Sequence, residues 1–514
     1  MGHKGIIQDV TLKQLSEESS TIVTYDFEML VPYFRNLKIN LPRSIVDVSQ
    51  VGRLLIGRSH SEYGNLIPWS IWKLLLPIYS EKENLYAIKK WFFRGPLGLE
   101  RYELCALLEQ FSNALAVLWE KQLADLGAKG EYDRYFSIEK PINELLLERQ
   151  YKGIKINEKK LLEKLDYIDT AIYNASKALK TNWGISGIYD KENIAQKLIK
   201  TGFRYIGKNV NSRIFDELAD LASESSDILK QYRILKQNLA DKNALLRFGA
   251  IGQGRIYPIY DPIGTVTGRI LVKTPNIQQL HKTSREVIVN DRGYSLLYPD
   301  YCQFEPGILA DDSKDHQLIR SYNSGDVYNS LSIAIFGDVA QRKLAKIIFL
   351  AFSFGMPKNN LVNLVKEVSK QNTITIEKVI DSFFDKFEDI EPWKKQLQNE
   401  LQKEGRIASR NGNYRYRKNK NLKTLTRDEQ KWVISQRVQG TAALILKESI
   451  LEISRKVTKA QFLVPMHDAA LYQVPETKIS QYKKAIESIF VNVYKKECPS
   501  IKPKISFNRF SDET

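Results

Sequence analysis

Two aspartates carry the first chemical signal. Asp300 follows the apolar run SLLYP, and Asp468 sits in FLVPMHDAALYQV, which reads as a hairpin turning at His467-Asp468. Carboxylates delivered by neighbouring strands, far apart in sequence, make an oxygen cradle for hard divalent cations. Such a cradle suits phosphoryl transfer, where one cation activates a hydroxyl and both neutralise phosphate charge. Each aspartate alone also reads as a helix cap or a turn residue. The second signal is QRKLAKIIFLAFSFGM at 341–356. There Arg342, Lys346, Leu350 and Phe354 are spaced by four, so one helical stripe starts cationic and ends apolar. Cations in line suit a triphosphate, and the apolar end suits a base and sugar. A solvated basic turn followed by a core helix would carry the same pattern. The third is GTVTGRILVKTPNIQQL at 264–280, which reads as a hydrogen-bonding surface around Arg269 or as a polar loop.

The elements that position these residues follow from the pattern of the chain. Residues 21–27 read as a strand and 54–151 as mostly helical, with a polar, glycine-bearing break at 126–135. Long amphipathic helices are expected over 141–180, broken at Gly153, and over 223–248. Short strands and turns fill 249–289, and 295–298 is a short strand ending before Asp300. Helices then dominate to Lys447 and beyond, and strand character returns at 461–474. The simplest architecture is α+β, an antiparallel sheet interrupted by a large helical insertion.

Composition narrows the function. The 514 residues are too many for one ordinary core, and 43% hydrophobic residues exclude a disordered chain. Lys plus Arg number 77 against 60 acids, and a net charge of +17 favours a polyanionic partner. Cys105, Cys302 and Cys498 are scattered, which excludes a disulfide framework and a structural zinc site and fits a reducing compartment. No apolar run reaches membrane-spanning length, and the first 20 residues read as neither signal nor transit peptide. The glycines of 249–254 lack the strand–helix context of a dinucleotide loop.

Together these segments resemble one family, the family A (DNA polymerase I-like) DNA polymerases. GTVTGRILVKTPNIQQL is similar to TxTGRLSSxxPNLQNIP, PDYCQFEPGILA (299–310) to DYSQIELRxLA, and RKLAKIIFLAFSFGM (342–356) to RxxxKxxxFGxxYG. RVQGTAALILK (437–447) is similar to PxQGTAADxxK, and PMHDAALYQV to xHDExxxEV. ELLLERQYKGIKINEKKL (144–161) and SRNGNYRYR (409–417) add weaker likenesses, and the order holds over residues 135–514. The resemblance implies a right-hand polymerase at 131–514 with an antiparallel palm sheet and helical fingers and thumb. The thumb lies at about 140–250, the palm at about 250–312 and 436–514, and the fingers at about 313–435. It implies two Mg2+ ions, with Mn2+ as a possible substitute, on Asp300, Asp468 and the Tyr301 carbonyl.

Arg342 and Lys346 are expected on the incoming triphosphate, and Glu305 as a steric gate beneath the sugar. Leu350, Phe354, Gln303 and Tyr328 complete the nucleotide pocket. Arg269 and Gln439 are expected on the minor groove and His467 at the primer end, with Thr267, Asn276, Gln278 and Arg415 on the DNA. The partners implied are primer-template DNA and dNTPs, for a monomeric, cytoplasmic protein of bacterial or viral origin. Against the family pattern, Leu350 replaces the stacking aromatic, Phe354 a Tyr, Ala469 a Glu, Gly307 an Arg and Tyr328 a His. Both metal-binding aspartates are kept, so catalysis is expected, and the departures fall on rate and sugar discrimination.

Residues 24–55 resemble the middle of the family's 3′–5′ exonuclease domain, so residues 1–130 are expected to be a degenerate or truncated version of it. Asp26 matches its second acidic motif and Asp47 a structural aspartate, or Asp26-x-Glu28 matches the first acidic pair. The third motif needs Tyr-x-x-x-Asp, but Tyr102 is followed by Ala106, so proofreading is expected to be absent. Two other functions share part of this pattern. A single-subunit RNA polymerase shares the aspartates and the Arg/Lys helix, but Glu305 and the TGR segment oppose it. A catalytically silent clamp on primer-template is opposed by the intact Asp300, Asp468, Arg342 and Lys346.

Overall fold

The computed structural model describes residues 11–58, 67–95, 100–211, 215–223, 225–249, 254–369, 373–419 and 421–511. The start of the chain, read above for a leader, and most of 249–254 lie outside them. At the centre is a five-stranded antiparallel sheet in the order Gln461–Met466, Ala469–Pro475, Pro299–Tyr301, Ile505–Phe507, with Tyr294–Leu297 also on Ala469–Pro475. The strand expected at 295–298 is Tyr294–Leu297, and a second short strand follows it, with Asp300 inside. Pro299 has no N–H for the ladder, which interrupts the run at that point. Ala469–Pro475 is buried along almost its whole length, because the helices Arg427–Lys456 and Ile479–Glu497 pack on the sheet.

A first helical arm rises from the sheet as the antiparallel pair Glu158–Trp183 and Asp227–Gly249. It starts where expected. Gly153 has φ +67, and a Cβ there would meet the Tyr257 ring at 2.6 Å and the Ile256 carbonyl at 2.8 Å, so only glycine fits. A bridge between Ile156 and Ile288 fixes its base, as does Asp241, which accepts bonds from the His281 N–H (2.9 Å) and the Ser284 hydroxyl (2.5 Å). Its tip, with helices Lys191–Lys200, Arg204–Lys208 and Phe215–Ala222, has an apolar cluster of its own around Leu179, Leu198, Phe215 and Leu229. The second helical arm runs from Phe304–Ser313 to Ile390–Glu404. It includes Arg342–Ser353, which stops just ahead of Gly355 (φ +81) and Pro357.

The sequence reading expected helix beyond this arm, but a hairpin intervenes, Arg406–Ser409 with Gly412–Tyr416. The turn between the paired Ser409 and Gly412 is Arg410-Asn411, and Gly412 opens the second strand at φ +71. The break expected at 126–135 is a helix end. Arg101–Lys129 stops at Gly130 (φ +74), and Tyr132–Arg134 follows directly.

A buried ionic knot ties these parts together. Glu139 accepts from Arg134 Nε (2.8 Å) and from Lys447 Nζ (2.6 Å), and Arg134 Nη1 donates to Ser409 Oγ (3.2 Å) and to the Asn411 carbonyl (2.8 Å). Burial lowers the Lys447 amine to about 8 against the pull of Glu139. Burial opposes ionisation of Glu139, yet the two cations hold its carboxyl below the usual range. Glu139→Gln leaves two buried cations on a neutral partner and should cost about 3–5 kcal/mol. The check is a urea melt, in which the midpoint should drop well below that of the parent.

Candidate active site

Strand register sets the two aspartates side by side. Ala469 pairs with Asp300, and the Tyr301 N–H donates to the Asp468 carbonyl at 3.3 Å. The turn between the strands is tight, with His467 at φ +56. Tyr301 anchors its strand from below. Its ring stacks on Phe304 (4.2 Å) and Phe490 (4.7 Å), and its hydroxyl meets Ser449 Oγ at 2.6 Å. With that side chain buried, only the backbone oxygen of Tyr301 remains as a candidate ligand. Burial first, and then Asp468, raise the Asp300 carboxyl to about 6, and Lys346 pulls it back. An all-oxygen donor set holding crowded negative charge fits a hard divalent cation.

Glu305 opens the helix Phe304–Ser313, which starts one strand-end beyond Asp300. It accepts from Arg269 Nη2 at 2.8 Å, and the same guanidinium lies 3.9 Å from Asp468. Burial, then Asp468, raise the Glu305 carboxyl, and Arg269 opposes them. The TGR segment therefore places its arginine on the acidic centre, bonded to the Glu305 carboxylate. Arg269 is held in turn by its own N–H to Thr265 Oγ1 (3.0 Å), and that hydroxyl also meets Thr267 (3.0 Å). A cavity of ≈ 220 Å³ opens beside Asp468, lined among others by Arg269, Asn276, Gln278, Lys447 and His467.

Two residues expected at ligand contacts also bond within the protein. Gln278 accepts from the Val272 N–H (2.9 Å) and donates to the carbonyls of Ile270 (3.1 Å) and Pro465 (3.0 Å). It braces the loop against the hairpin, where a DNA contact was expected. Gln303, buried at φ +50, accepts from the Val327 N–H at 2.8 Å. It holds the next helix in place, where a nucleotide contact was expected. The helix is further fixed at Gly307, where a Cβ would collide with the Tyr494 hydroxyl and approach the Tyr322 ring to 2.9 Å. That hydroxyl donates to the Phe304 carbonyl at 2.7 Å.

On Arg342–Ser353 the expected stripe faces outward: Arg342 and Lys346 are exposed, and Leu350 and Phe354 are half-buried. Sequence reasoning missed Asp326. This residue caps Val327–Phe336 through the Tyr328 N–H (2.9 Å) and the Asn329 N–H (3.0 Å). Its other oxygen accepts both Arg342 Nε (3.1 Å) and Nη2 (2.7 Å). Tyr328, only 3% exposed, lies beneath the guanidinium with its ring centroid 5.3 Å away. The side edge and one face of Arg342 are thus fixed, and its end-on edge is left for an anion. An aspartate just ahead of an apolar helix is a cap signal that could have flagged the site. Gln439 is half-buried on Arg427–Lys456, and the Arg415 guanidinium lies 4.2 Å from the Trp432 ring centroid.

In the N-terminal region, Ile22–Thr24 pairs in parallel with Ile45–Asp47, and Asp26, Glu28 and Asp47 converge, one oxygen of each within 4.8 Å of the others. The acids expected as an incomplete set therefore meet in space. Local bonds account for Asp47, which caps Val48–Ile56 through the Ser49 N–H (3.0 Å) and accepts from the Phe27 N–H (3.0 Å). Lys273 Nζ reaches Glu28 at 3.1 Å and supplies positive charge. Tyr102, the start of the expected third motif, is 73% exposed.

A sequence model of DNA polymerase family A matches residues 153–505. The chain is 23% identical to DNA polymerase I of Chloroflexus aurantiacus over 402 residues, which covers 71% of this chain and 41% of that protein. It is 23% identical to DNA polymerase I of Streptococcus pneumoniae serotype 4 over 534 aligned positions, covering 96% and 58% respectively. The chain spans about half the length of the curated relatives it matches. Its fold is similar to a solved structure described as the POL domain of Pol1 from M. smegmatis in complex with DNA primer-template and dNTP. The TM-score is 0.71 at 17% identity, covering 95% of this chain and 85% of that one.

The acidic cluster generates a pH prediction. Burial, with Glu28 adding to it, raises the Asp47 carboxyl from 3.8 to about 7. Between those values the folded chain binds more protons at this group than the unfolded chain, so stability falls as pH rises through the window. The contribution approaches about 1.4 kcal/mol per pH unit at its steepest. Urea midpoints at pH 5 and pH 8 should differ less in Asp47→Asn than in the parent.

Proposed function

The chain belongs to DNA polymerase family A, and on that premise we propose that it extends a primer 3′ end with deoxynucleotides on a DNA template. One observation carries the reading: strand register sets Asp300 beside the hairpin of Asp468, and the charge of Lys346, on the helix that also bears Arg342, acts on Asp300. Asp300, Asp468 and the backbone oxygen of Tyr301 would hold two Mg2+ ions, with Mn2+ as a substitute; when bound, these would supply charge neutralisation at the phosphate and a lowered pKa for the primer hydroxyl.

The side chains divide the remaining work. Arg342, pre-oriented by Asp326 and Tyr328, takes the triphosphate with Lys346. Leu350 and Phe354 offer the base an apolar surface, which in Leu350 lacks the fixed plane of an aromatic ring. Glu305, anchored by Arg269, stands beneath the sugar and opposes a 2′-hydroxyl by its bulk. His467 lies at the primer end, and Thr267, Asn276, Gln439 and Arg415 lie along the duplex. The arm at 140–250 serves as the thumb, 313–435 as the fingers, and 250–312 with 436–514 as the palm.

Residues 1–130 act as a remnant exonuclease-like domain without proofreading. Two observations support that reading: Lys273 sits against its acidic cluster, and Ala106 stands where a carboxylate is needed. The protein works as a cytoplasmic monomer of bacterial or viral origin. No helix among the described residues is long and apolar enough to cross a membrane.

The test is primer extension with Mg2+, comparing dNTPs with rNTPs. Asp300→Asn and Asp468→Asn should each lower extension on the order of a thousandfold, several kcal/mol of lost transition-state stabilisation, with primer-template binding retained. Wild-type-like extension by either variant would sink the assignment.

Asp326→Asn keeps a capping side chain but removes the charge that orients Arg342. The KM for dNTP should rise about tenfold, the worth of one charge-assisted bond, with kcat little changed. Steady-state single-nucleotide insertion separates the two terms, and an unaltered KM would count against pre-orientation.

A further inference from the structure

The two helical arms meet at their far ends. Leu364 of Lys358–Ser369 is fully buried, and the cluster that buries it belongs to the tip of the first arm, with Leu198, Ile206, Phe215 and Leu229. On the same helix, Leu361, Val362 and Val365 turn into the main core, so Leu364 alone among these buried residues faces the tip. Ile347, on the helix that carries Arg342 and Lys346, also packs against the tip.

Polar contacts reinforce this junction. The Glu367 carboxylate accepts the backbone N–H groups of Tyr205 and of Ile206 (3.0 Å for the latter), capping Arg204–Lys208 from across the gap. Lys343 pairs with Asp220, which also pairs with Arg233. The Lys343–Asp220 pair is exposed and contributes little holding strength, so the apolar seat and the cap carry the contact.

Both arms are rooted in the same sheet. The first is held by the Ile156–Ile288 bridge and by Asp241, and the second leaves directly from Asp300. A chain joined at its base and at its tips is a closed ring. The first arm's 26-residue helix is about 39 Å long at 1.5 Å per residue, longer than a DNA duplex is wide.

We infer that the tip of the thumb and the fingers form a gate that closes over the DNA cleft, so that primer-template is encircled while it is extended. The inference rests on the polymerase reading. DNA enters when Leu364 leaves its seat and Glu367 releases the tip helix. Once the gate shuts, a duplex leaves by sliding off an end or by waiting for the gate to reopen. Escape is then limited by the gate as well as by phosphate contacts, so the enzyme adds many nucleotides per encounter without a separate clamp.

The test links the gate covalently. Asp220→Cys and Lys343→Cys in a Cys105→Ser background are joined by a cleavable bis-maleimide, and binding is followed on primed circular and on linear primer-template DNA. Linked before mixing, the protein should fail to capture the circle. Linked after mixing, it should hold the circle through a high-salt wash, lose linear DNA, and release the circle on cleavage of the linker. Capture of the circle by pre-linked protein, or equal loss of circle and linear DNA, would overturn the inference.

Glu367→Ala should shorten the products of a single encounter in the presence of a DNA trap and speed dissociation about tenfold, with single-nucleotide insertion unchanged. Leu364→Ala should act in the same direction, so the result does not hang on one variant. Unchanged dissociation in both would also overturn the gate. Retention of the circle is read without nucleotides. A linked protein that retains circles while the unlinked parent fails to extend primers would therefore refute the polymerase reading and leave the gate standing.

Discussion

The structure is organised around two like charges that repel each other and are nonetheless held side by side. The pairing of Ala469 with Asp300 sets Asp300 opposite the residue that follows Asp468, and burial together with Asp468 opposes ionisation of Asp300. Every nearby cation reads as a response to that constraint. Arg269 bridges Glu305 toward Asp468, and the charge of Lys346, on a helix of the second arm, favours the ionised form of Asp300. The small Ala469 beside Asp300, where the family pattern carries a glutamate, spares the site a further negative charge.

That arrangement is only as firm as the frame behind it. The knot of Arg134, Glu139 and Lys447 joins the end of the N-terminal region, the hairpin at 406–416 and the long helix Arg427–Lys456, which packs on the sheet. A second tie runs from Arg410 to Asp311 (2.6 Å) and Asp312 (3.1 Å), fastening the same hairpin to the helix that begins at Glu305. Ion pairs buried this deeply gain little over apolar packing, but they tolerate few alternative geometries. Their value here is positional, because both ties end on elements that carry site residues.

Much of this was legible in the sequence, for physical reasons that differ by element. The stripe from Arg342 to Phe354 and the break at Gly153 are written in local periodicity and in a backbone conformation that only glycine takes easily. Asp300 and Asp468 became readable as a pair through the ordered motifs around them, since nothing near either residue announces the other. The hairpin at 406–416 went unread although an Asn-Gly pair stands at its turn, because its flanks are rich in Arg, Asn and Lys and look like a solvated loop. Gln278 and Gln303 show a role the motifs did not announce, since each also bonds to nearby backbone and so braces the frame of the site. Asp326 escaped because its cap role is local while its grip on Arg342 is not. The seat of Leu364 had no signature at all, for an apolar residue on an amphipathic helix does not say which core it enters.

Gly307 shows how such a frame constrains its own history. The Tyr494 hydroxyl occupies the space a side chain at 307 would need, and it is bonded there to the Phe304 carbonyl, with Tyr322 filling the other side. The arginine common at this position in the family cannot simply be restored, because the two tyrosines would have to yield first. Nor can Tyr494 be shortened without opening a hole under the strand that carries Asp300. The three positions are therefore locked in epistasis. A larger side chain at 307 is tolerated only together with changes at both tyrosines, so the three positions accept substitution as a unit.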